Sequence, residues 1–149
     1  MLIRWIFAAL HLVALGIGLG AVWARARALR GPLDEAGLRR VFHADALWGL
    51  AALLWISTGV VRAFAGLEKG SAYYLQNSAF HLKMGLLLLI LVLEIWPMSA
   101  FIGWRMRLGR GEPVDTRRAP AFARISVVQA LLVVAMVFAA TAMARGLGF

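Results

Sequence analysis

The sequence predicts an all-α integral membrane protein, an antiparallel bundle of four transmembrane helices with both termini on the non-cytoplasmic side. Three observations predict this fold: a very apolar composition, four apolar runs of membrane-spanning length, and positive charge concentrated in two of the loops. The chain has 149 residues, of which 62% are hydrophobic and 15% charged, whereas soluble domains average about 45–50% apolar and 25% charged. A soluble chain of this length buries only about 70% of its surface, so the composition excludes an ordinary soluble enzyme domain.

Each apolar run is long enough to cross a hydrocarbon core of about 30 Å, which takes roughly 20 residues as a helix. Continuous apolarity, without alternation of apolar and polar residues, favours helices over barrel strands. The four predicted helices form a single transmembrane domain over 1–149 and span about 3–24, 41–64, 78–101 and 125–144. The first run ends in a stop-transfer pattern that begins at Arg25, so we interpret it as a retained helix and not as a cleaved signal peptide. Pro97 is expected to kink the third helix or loosen its last turns.

Positive charge lies mainly in two of the three loops. Five arginines lie between the first two predicted helices and five more between the last two: Arg25, Arg27, Arg30, Arg39 and Arg40, then Arg105, Arg107, Arg110, Arg117 and Arg118. The 65–77 loop carries Lys69 as its single cation. Cytoplasmic loops are enriched in Lys and Arg, so the two arginine-rich loops are predicted to face the cytoplasm. The net charge of +9 is then explained by the membrane surface, and no nucleic-acid partner is predicted.

Two histidines are candidate ligands of a metal or of haem iron. Imidazole is the commonest metal ligand, and with outward termini His11 and His81 lie in the same outer half of the bilayer. Histidines from different helices of a bundle can hold haem iron from both sides. The alternative for His11 is a hydrogen bond to a neighbouring helix, for example to Gln129 or Ser57. The alternative for His81 is an interfacial position without a ligand.

Other charged residues also fall inside the predicted helices, where a charge is costly and suggests a function. Arg62 either neutralises a haem propionate or an anionic headgroup, or extends towards the interface, and Lys83 either contributes to the same site or extends outward. Glu94 either pairs with an arginine of the inner loops or relays protons. Asp45 is explained by the dipole of the first turn of its helix, and His43 is too shallow to be a preferred ligand.

The sequence contains a pattern of small residues in the first helix and lacks the common catalytic motifs. Gly16 and Gly20 form a GxxxG step, which predicts close helix packing on that face of the first helix. Cysteine is absent, which excludes disulfides, thiolate metal sites and iron–sulfur clusters. The sequence shows no phosphate-binding glycine loop, no zinc-protease motif and no nucleophilic serine motif, so no catalytic residue is predicted.

Over nearly its whole length the chain resembles a family of small bacterial four-helix membrane proteins, catalogued as domain of unknown function 2214. The stretches that carry the resemblance are HADALWGLAAL at 43–53, TGVVR at 58–62, KGSAYYLQN at 69–77, FHLKM at 80–84, WR at 104–105 and MARG at 143–146. The resemblance implies a multi-pass protein of the bacterial cytoplasmic (inner) membrane, and it implies no particular activity.

A weaker likeness concerns Leu10–His11 and the segment 80–83. These pieces look like parts of the membrane protoporphyrinogen oxidase of haem synthesis, and the copper-resistance D-like membrane proteins share a similar outline. The likeness implies a haem- or porphyrin-binding role for His11 and Lys83, with His81 beside them.

Three functional hypotheses follow. The first is a protein that binds b-type haem or porphyrin between the first and third helices, for electron transfer or haem handling. The second is a non-catalytic accessory subunit that packs against a larger respiratory, photosynthetic or transport complex. The third is a small transporter that uses Glu94, Lys83 and Asp45.

Overall fold

The described part of the chain contains five helices. In a computed structural model, which describes residues 1–65 and 71–147, the chain contains no strand in the described part. The helices are α1 (Leu2–Arg30), α2 (Glu35–Phe64), α3 (Ser71–Gln76), α4 (Ser78–Gly109) and α5 (Ala119–Ala144). All except α3 are long and apolar enough to cross a membrane, which confirms the four predicted spans. Lys69, the predicted outer-loop cation, lies outside the described residues.

The predicted helix ends were wrong on the arginine-rich side of every span. The first and third spans were expected to end at 24 and 101, but α1 and α4 continue to Arg30 and Gly109. The second and fourth were expected to start at 41 and 125, but α2 and α5 begin at Glu35 and Ala119. The apolar run marks the hydrocarbon core, whereas backbone hydrogen bonding continues past it through arginine, a good helix former. We call this side of the molecule, with loops 31–34 and 110–118, the arginine-rich end.

The short turn between α1 and α2 is fixed by a side-chain cap. Asp34 precedes α2 and accepts a hydrogen bond of 2.8 Å from the backbone N–H of Gly37, which satisfies a donor that the helix start leaves open. A Cβ atom at Gly37 would collide with the carbonyl oxygen of Pro32. Glycine at this position therefore lets α2 begin after a connection of only four residues.

The loop between α4 and α5 contains a local ion pair. The exposed side chains of Asp115 and Arg117 form hydrogen bonds as short as 2.8 Å. These bonds lower the pKa of the Asp115 carboxyl to about 2. The pair therefore persists over the whole physiological range of pH.

In the described residues, two large buried clusters hold the spans together, and a smaller one surrounds Tyr74 and Phe80. One fills the middle of the bundle and contains Ala14, Val22, Trp48, Ile90 and Met136, among others. The other lies at the arginine-rich end and contains Leu29, Val41, Phe101, Trp104 and Phe122, among others. Many large apolar side chains point outward instead, for example Leu50, Leu88 and Phe138. Such a surface suits a lipid environment and would aggregate in water.

Pro97 lies inside α4, which continues for twelve more residues, and the predicted kink stays a prediction. The glycines of α1 behave differently from expectation. Gly16 and Gly20 are exposed, with no atom within 4 Å of the Cβ position, so the prediction that they form a packing face was wrong. Gly18 packs instead, because its Cβ position lies 3.5 Å from Ala51 Cβ. The face that meets α2 is the one that carries Ala14, Gly18 and Ala21.

The four spans pack unevenly. α1 lies against both α2 and α5, and α4 lies against α5, whereas α2 and α4 scarcely touch. At the end of the bundle opposite the arginine-rich end, α3 contacts α5. The Tyr73 hydroxyl donates to the Met143 carbonyl at 3.2 Å. The bundle is therefore closed along three seams and open along the fourth.

Candidate functional site

Arg25 is the centre of a buried polar network. Its side chain is fully buried on α1 and reaches one residue or more on each of the other three spans. Nη1 donates to Asp45 Oδ1 at 2.9 Å and to Glu94 Oε1 at 2.7 Å. Nη2 donates to Glu94 Oε2 at 3.0 Å and to Gln129 Oε1 at 2.6 Å. Nε donates to Ser126 Oγ at 3.0 Å, so all five guanidinium N–H groups are used.

The partners of Arg25 are themselves hydrogen-bonded. Gln129 Nε2 donates to Glu94 Oε2 at 2.8 Å and to the Ile90 carbonyl at 3.2 Å. Trp48 Nε1 donates to the same carboxylate at 3.3 Å, and Ser126 donates to the Phe122 carbonyl. Buried charges are tolerated when they are paired and when their remaining hydrogen-bond donors and acceptors also have partners. The network therefore holds an arginine between two carboxylates, and each carboxylate has a charged partner.

A second arginine completes the charge balance. Arg105 on α4 donates from Nη2 to Asp45 Oδ2 at 2.9 Å and to the Phe42 carbonyl at 3.2 Å. Its guanidinium also lies 5.1 Å from the centroid of the Phe42 ring. Arg25 and Arg105 together thus balance Asp45 and Glu94. Arg105 is one of the few side chains that bridge the gap between α2 and α4.

The gap between α2 and α4 forms a cleft of about 910 Å³. Residues of α1 and α5, such as Ala14, Gly18 and Val133, form its floor. Its walls are mostly apolar, and on α4 the apolar lining residues are Leu87, Ile90, Leu91 and Met98. At the arginine-rich end the lining changes to charged and polar side chains: Arg39, His43, Asp45, Glu94 and Arg105. The cleft thus has an apolar body and one polar end.

His11 lies beyond the other end of the cleft. Its Nδ1 is 2.9 Å from Thr58 Oγ1. The Thr58 hydroxyl also lies 2.8 Å from the Leu54 carbonyl and 3.1 Å from the Trp55 carbonyl. The imidazole also stacks on the Trp55 ring, with centroids 5.2 Å apart. The expected bond to a neighbouring helix is confirmed, but its partner is Thr58.

The partners expected for His11 were wrong because both are engaged elsewhere. Gln129 belongs to the Arg25 network, and the exposed Ser57 donates to the Leu53 carbonyl of its own helix. Gly59 makes room for the histidine, since its Cβ position lies 3.0 Å from His11 Cε1. A side chain at position 59 would therefore push the imidazole away from Thr58.

The remaining predicted site residues are dispersed. Lys83 places its ammonium 5.6 Å from the centroid of the Trp55 ring. His81 is exposed, and its Nε2 lies 2.7 Å from the Leu75 carbonyl. His43 is exposed at the polar end of the cleft, with Nδ1 2.8 Å from the Arg39 carbonyl. Arg62 is half-buried near the end of α2. The roles of His11, His81, Lys83 and Arg62 as ligands of a metal or cofactor stay predictions.

Two sequence interpretations change in the structure. The ion pair predicted for Glu94 with an inner arginine is confirmed, and the arginine is Arg25. The helix-dipole explanation of Asp45 was wrong, because α2 begins at Glu35 and places Asp45 three turns inside the helix. Arg25, counted as a loop residue, is buried in α1.

The sequence contains a signal that Arg25 lies on a buried helix face, but the assignment of Arg25 to the first loop hid it. Arg25 follows Ala21 by four residues and Gly18 by seven, which places all three on one face of a helix. Two carboxylates predicted at membrane depth, Asp45 and Glu94, also require cations at the same depth.

The described residues contain no group of three or more His, Cys, Asp or Glu side chains placed to hold a metal ion.

Comparison with known proteins identifies the family. The model of a family described as predicted membrane protein (DUF2214) matches residues 3–148. The match spans nearly the entire chain, so the chain belongs to this family. No curated protein and no solved structure matches it. The weaker likeness to protoporphyrinogen oxidase and to copper-resistance D-like proteins is therefore not borne out.

Proposed function

For this member of the DUF2214 membrane-protein family, we propose that the cleft between α2 and α4 binds an amphipathic molecule taken from the bilayer. The hydrocarbon chain of the ligand lies along the apolar body of the cleft, and its polar group lies at the arginine-rich end. The observation that carries the proposal is the cleft itself, in which an apolar body leads to a polar end on the open side of the bundle.

The volume of the cleft suits a lipid-sized ligand. Small-molecule sites have volumes of roughly 300–1,000 Å³, and the cleft has about 910 Å³. A hydrocarbon chain therefore fits its apolar body.

The membrane orientation decides where the polar group of the ligand lies. We place the spans in antiparallel order with the arginine-rich end in the cytoplasm, following the enrichment of Arg in cytoplasmic loops. The polar end of the cleft then lies towards the cytoplasmic leaflet. The open seam faces the lipid, so a ligand enters sideways from that leaflet without crossing water.

Cleft-filling variants test the proposal. Gly49 lines the cleft and has no atom within 4 Å of its Cβ position, so Gly49→Phe starts its side chain in open space beside the cleft. Gly20→Phe is the matched control, because Gly20 is equally open but lies on α1 away from the cleft. The lipid that stays with the purified protein after detergent washing is counted by native mass spectrometry.

The expected result is a retained lipid in the parent and in Gly20→Phe and its loss in Gly49→Phe. Equal lipid retention in all three proteins, or none in the parent, would overturn the proposal. The haem hypothesis has a separate test, because a Soret band in the purified protein that disappears in His11→Ala and His81→Ala would support it. A colourless parent would remove the haem hypothesis and leave the lipid proposal unaffected.

A further inference from the structure

We infer that the polar group held at the arginine-rich end of the cleft is a phosphate, so that the ligand is a long-chain phosphate-headed lipid. This inference rests on the proposed function and specifies the head of its ligand. Three basic side chains line this end of the cleft: Arg39 and His43 from α2, and Arg105 from α4. Two helices thus present cations to one opening, at the point where the apolar lining ends.

Arg105 has unused donors. Within the described part of the chain its hydrogen bonds all leave from Nη2, so the Nε–H and the Nη1 donors remain available. The side chain is 39% exposed, which leaves those donors within reach of a ligand. Asp45 and the Phe42 ring hold the guanidinium in place. A planar, preoriented guanidinium suits the paired oxygens of a phosphate.

Arg39 and His43 add donors from the opposite wall. Arg39 is held by an exposed ion pair with Glu35, one turn earlier on the same helix. Exposed pairs of this kind contribute little, so a phosphate competes with Glu35 at small cost. His43 directs Nδ1 at the Arg39 carbonyl, which keeps its ring beside the same opening. The two side chains lie four residues apart and therefore share a face of α2.

The carboxylates at this end do not repel an anion strongly, because they are already neutralised. Both oxygens of Glu94 accept from Arg25, and each oxygen of Asp45 accepts from an arginine. Arg25 has no donor left for a ligand. Arg25 and Arg105 together balance the two acids. The arginines that line the cleft, Arg39 and Arg105, lie at its mouth.

The length of the cleft suits a long chain below such a head. Arg39 and Trp55 both line it and are 16 residues apart on α2, which corresponds to about 24 Å of helical rise. Between them the lining is apolar apart from His43 and the acids of the network. A free phosphate would use only the mouth and leave this apolar length empty, so the geometry favours a lipid.

Two lipids that differ only in the phosphate test the inference. Palmitoyl lysophosphatidic acid and monopalmitoylglycerol share the chain and the glycerol, and their binding to the full-length delipidated protein is compared by native mass spectrometry. We expect the phosphate lipid to bind at least about tenfold more tightly, as charge-assisted hydrogen bonds predict. Arg39→Gln and Arg105→Gln should each reduce this preference, whereas the neighbouring controls Arg40→Gln and Arg107→Gln, which do not line the cleft, should retain it.

The outcomes separate this inference from the proposed function. Equal binding of the two lipids overturns the phosphate inference while the lipid cleft stands, and binding of neither lipid overturns the proposed function itself. A phosphate preference that survives both Arg39→Gln and Arg105→Gln contradicts the assigned residues. Glycerol 3-phosphate that competes as strongly as the lipid would show a site for a soluble phosphate and overturn the lipid assignment. Arg39→Gln leaves the Arg105–Asp45 bridge intact, so a folding defect in Arg105→Gln does not spoil the test.

Discussion

Arg25 is buried because five acceptors from three helices meet its five donors. A charge that is removed from water costs several kcal/mol by the usual estimates, and only close pairing and complete hydrogen bonding recover that cost. The bonds to Asp45, Glu94, Gln129 and Ser126 meet this condition. Because the acceptors lie on α2, α4 and α5, the residue fixes the relative positions of all four spans.

Loss of Arg25 should therefore destabilise the protein severely. Arg25→Gln leaves two carboxylates at membrane depth with a single arginine between them, and removal of one partner of a buried pair costs about 3–5 kcal/mol. Arg27→Gln, two residues away and exposed, should change stability by less than about 0.5 kcal/mol. Thermal unfolding in detergent, followed by circular dichroism, measures both variants. Equal melting temperatures would contradict the role assigned to Arg25.

The two tryptophans of the cleft should respond differently to the same change. Trp48 donates to Glu94 Oε2 at 3.3 Å, whereas the buried Trp55 Nε1 has no hydrogen-bond partner in the described part of the chain. Trp48→Phe removes a bond to a charged group, which is worth about 1.5–3 kcal/mol. Trp55→Phe keeps an aromatic ring beside His11 and loses no hydrogen bond. The order of unfolding midpoints in denaturant checks this, and a larger loss for Trp55→Phe would contradict it.

At the scale of the helices, close packing depends on a glycine other than the ones the GxxxG pattern indicated. Gly18 places its Cβ position 3.5 Å from Ala51 and 3.6 Å from the Trp48 ring. Gly18→Leu should overpack the α1–α2 seam and cost about 1–3 kcal/mol. The Cβ position of Gly20 has no atom within 4 Å, so Gly20→Leu should be close to neutral. The melting temperatures of the two purified variants test this prediction. A greater loss of stability for Gly20→Leu would restore the GxxxG interpretation.

The sequence predicts the helices better than it predicts their ends or their seams. Apolar length finds the four spans because hydrocarbon thickness sets a minimum run. It does not find where α1 ends, because Arg25 to Arg30 continue the helix with backbone bonds that polarity does not reveal. It also does not say which side of α1 faces α2, since nearly every face of these helices is apolar. The pairing of Glu94 was predictable from charge alone, whereas the bond of His11 to Thr58 depends on the depth at which two helices cross.

The whole molecule combines a rigid polar centre with one open side. The Arg25 network ties four spans together near the arginine-rich end, and the apolar cluster around Trp48 and Met136 closes the middle. Between α2 and α4 the contacts come from long side chains, with Arg105 at Asp45 near one end and Lys83 at Trp55 near the other. The walls of the cleft are thus held apart at fixed positions, which suits a binding site for a chain that slides in from the lipid.

Membrane orientation determines which leaflet supplies that chain, and it can be tested because the protein has no native cysteine. Pro113 and Leu147 are exposed at opposite ends of the bundle. With the arginine-rich end in the cytoplasm, a membrane-impermeant maleimide added to spheroplasts should label Leu147→Cys. It should reach Pro113→Cys only after the cells are opened. Labelling of Pro113→Cys in closed spheroplasts would invert the topology and place the polar end of the cleft in the outer leaflet.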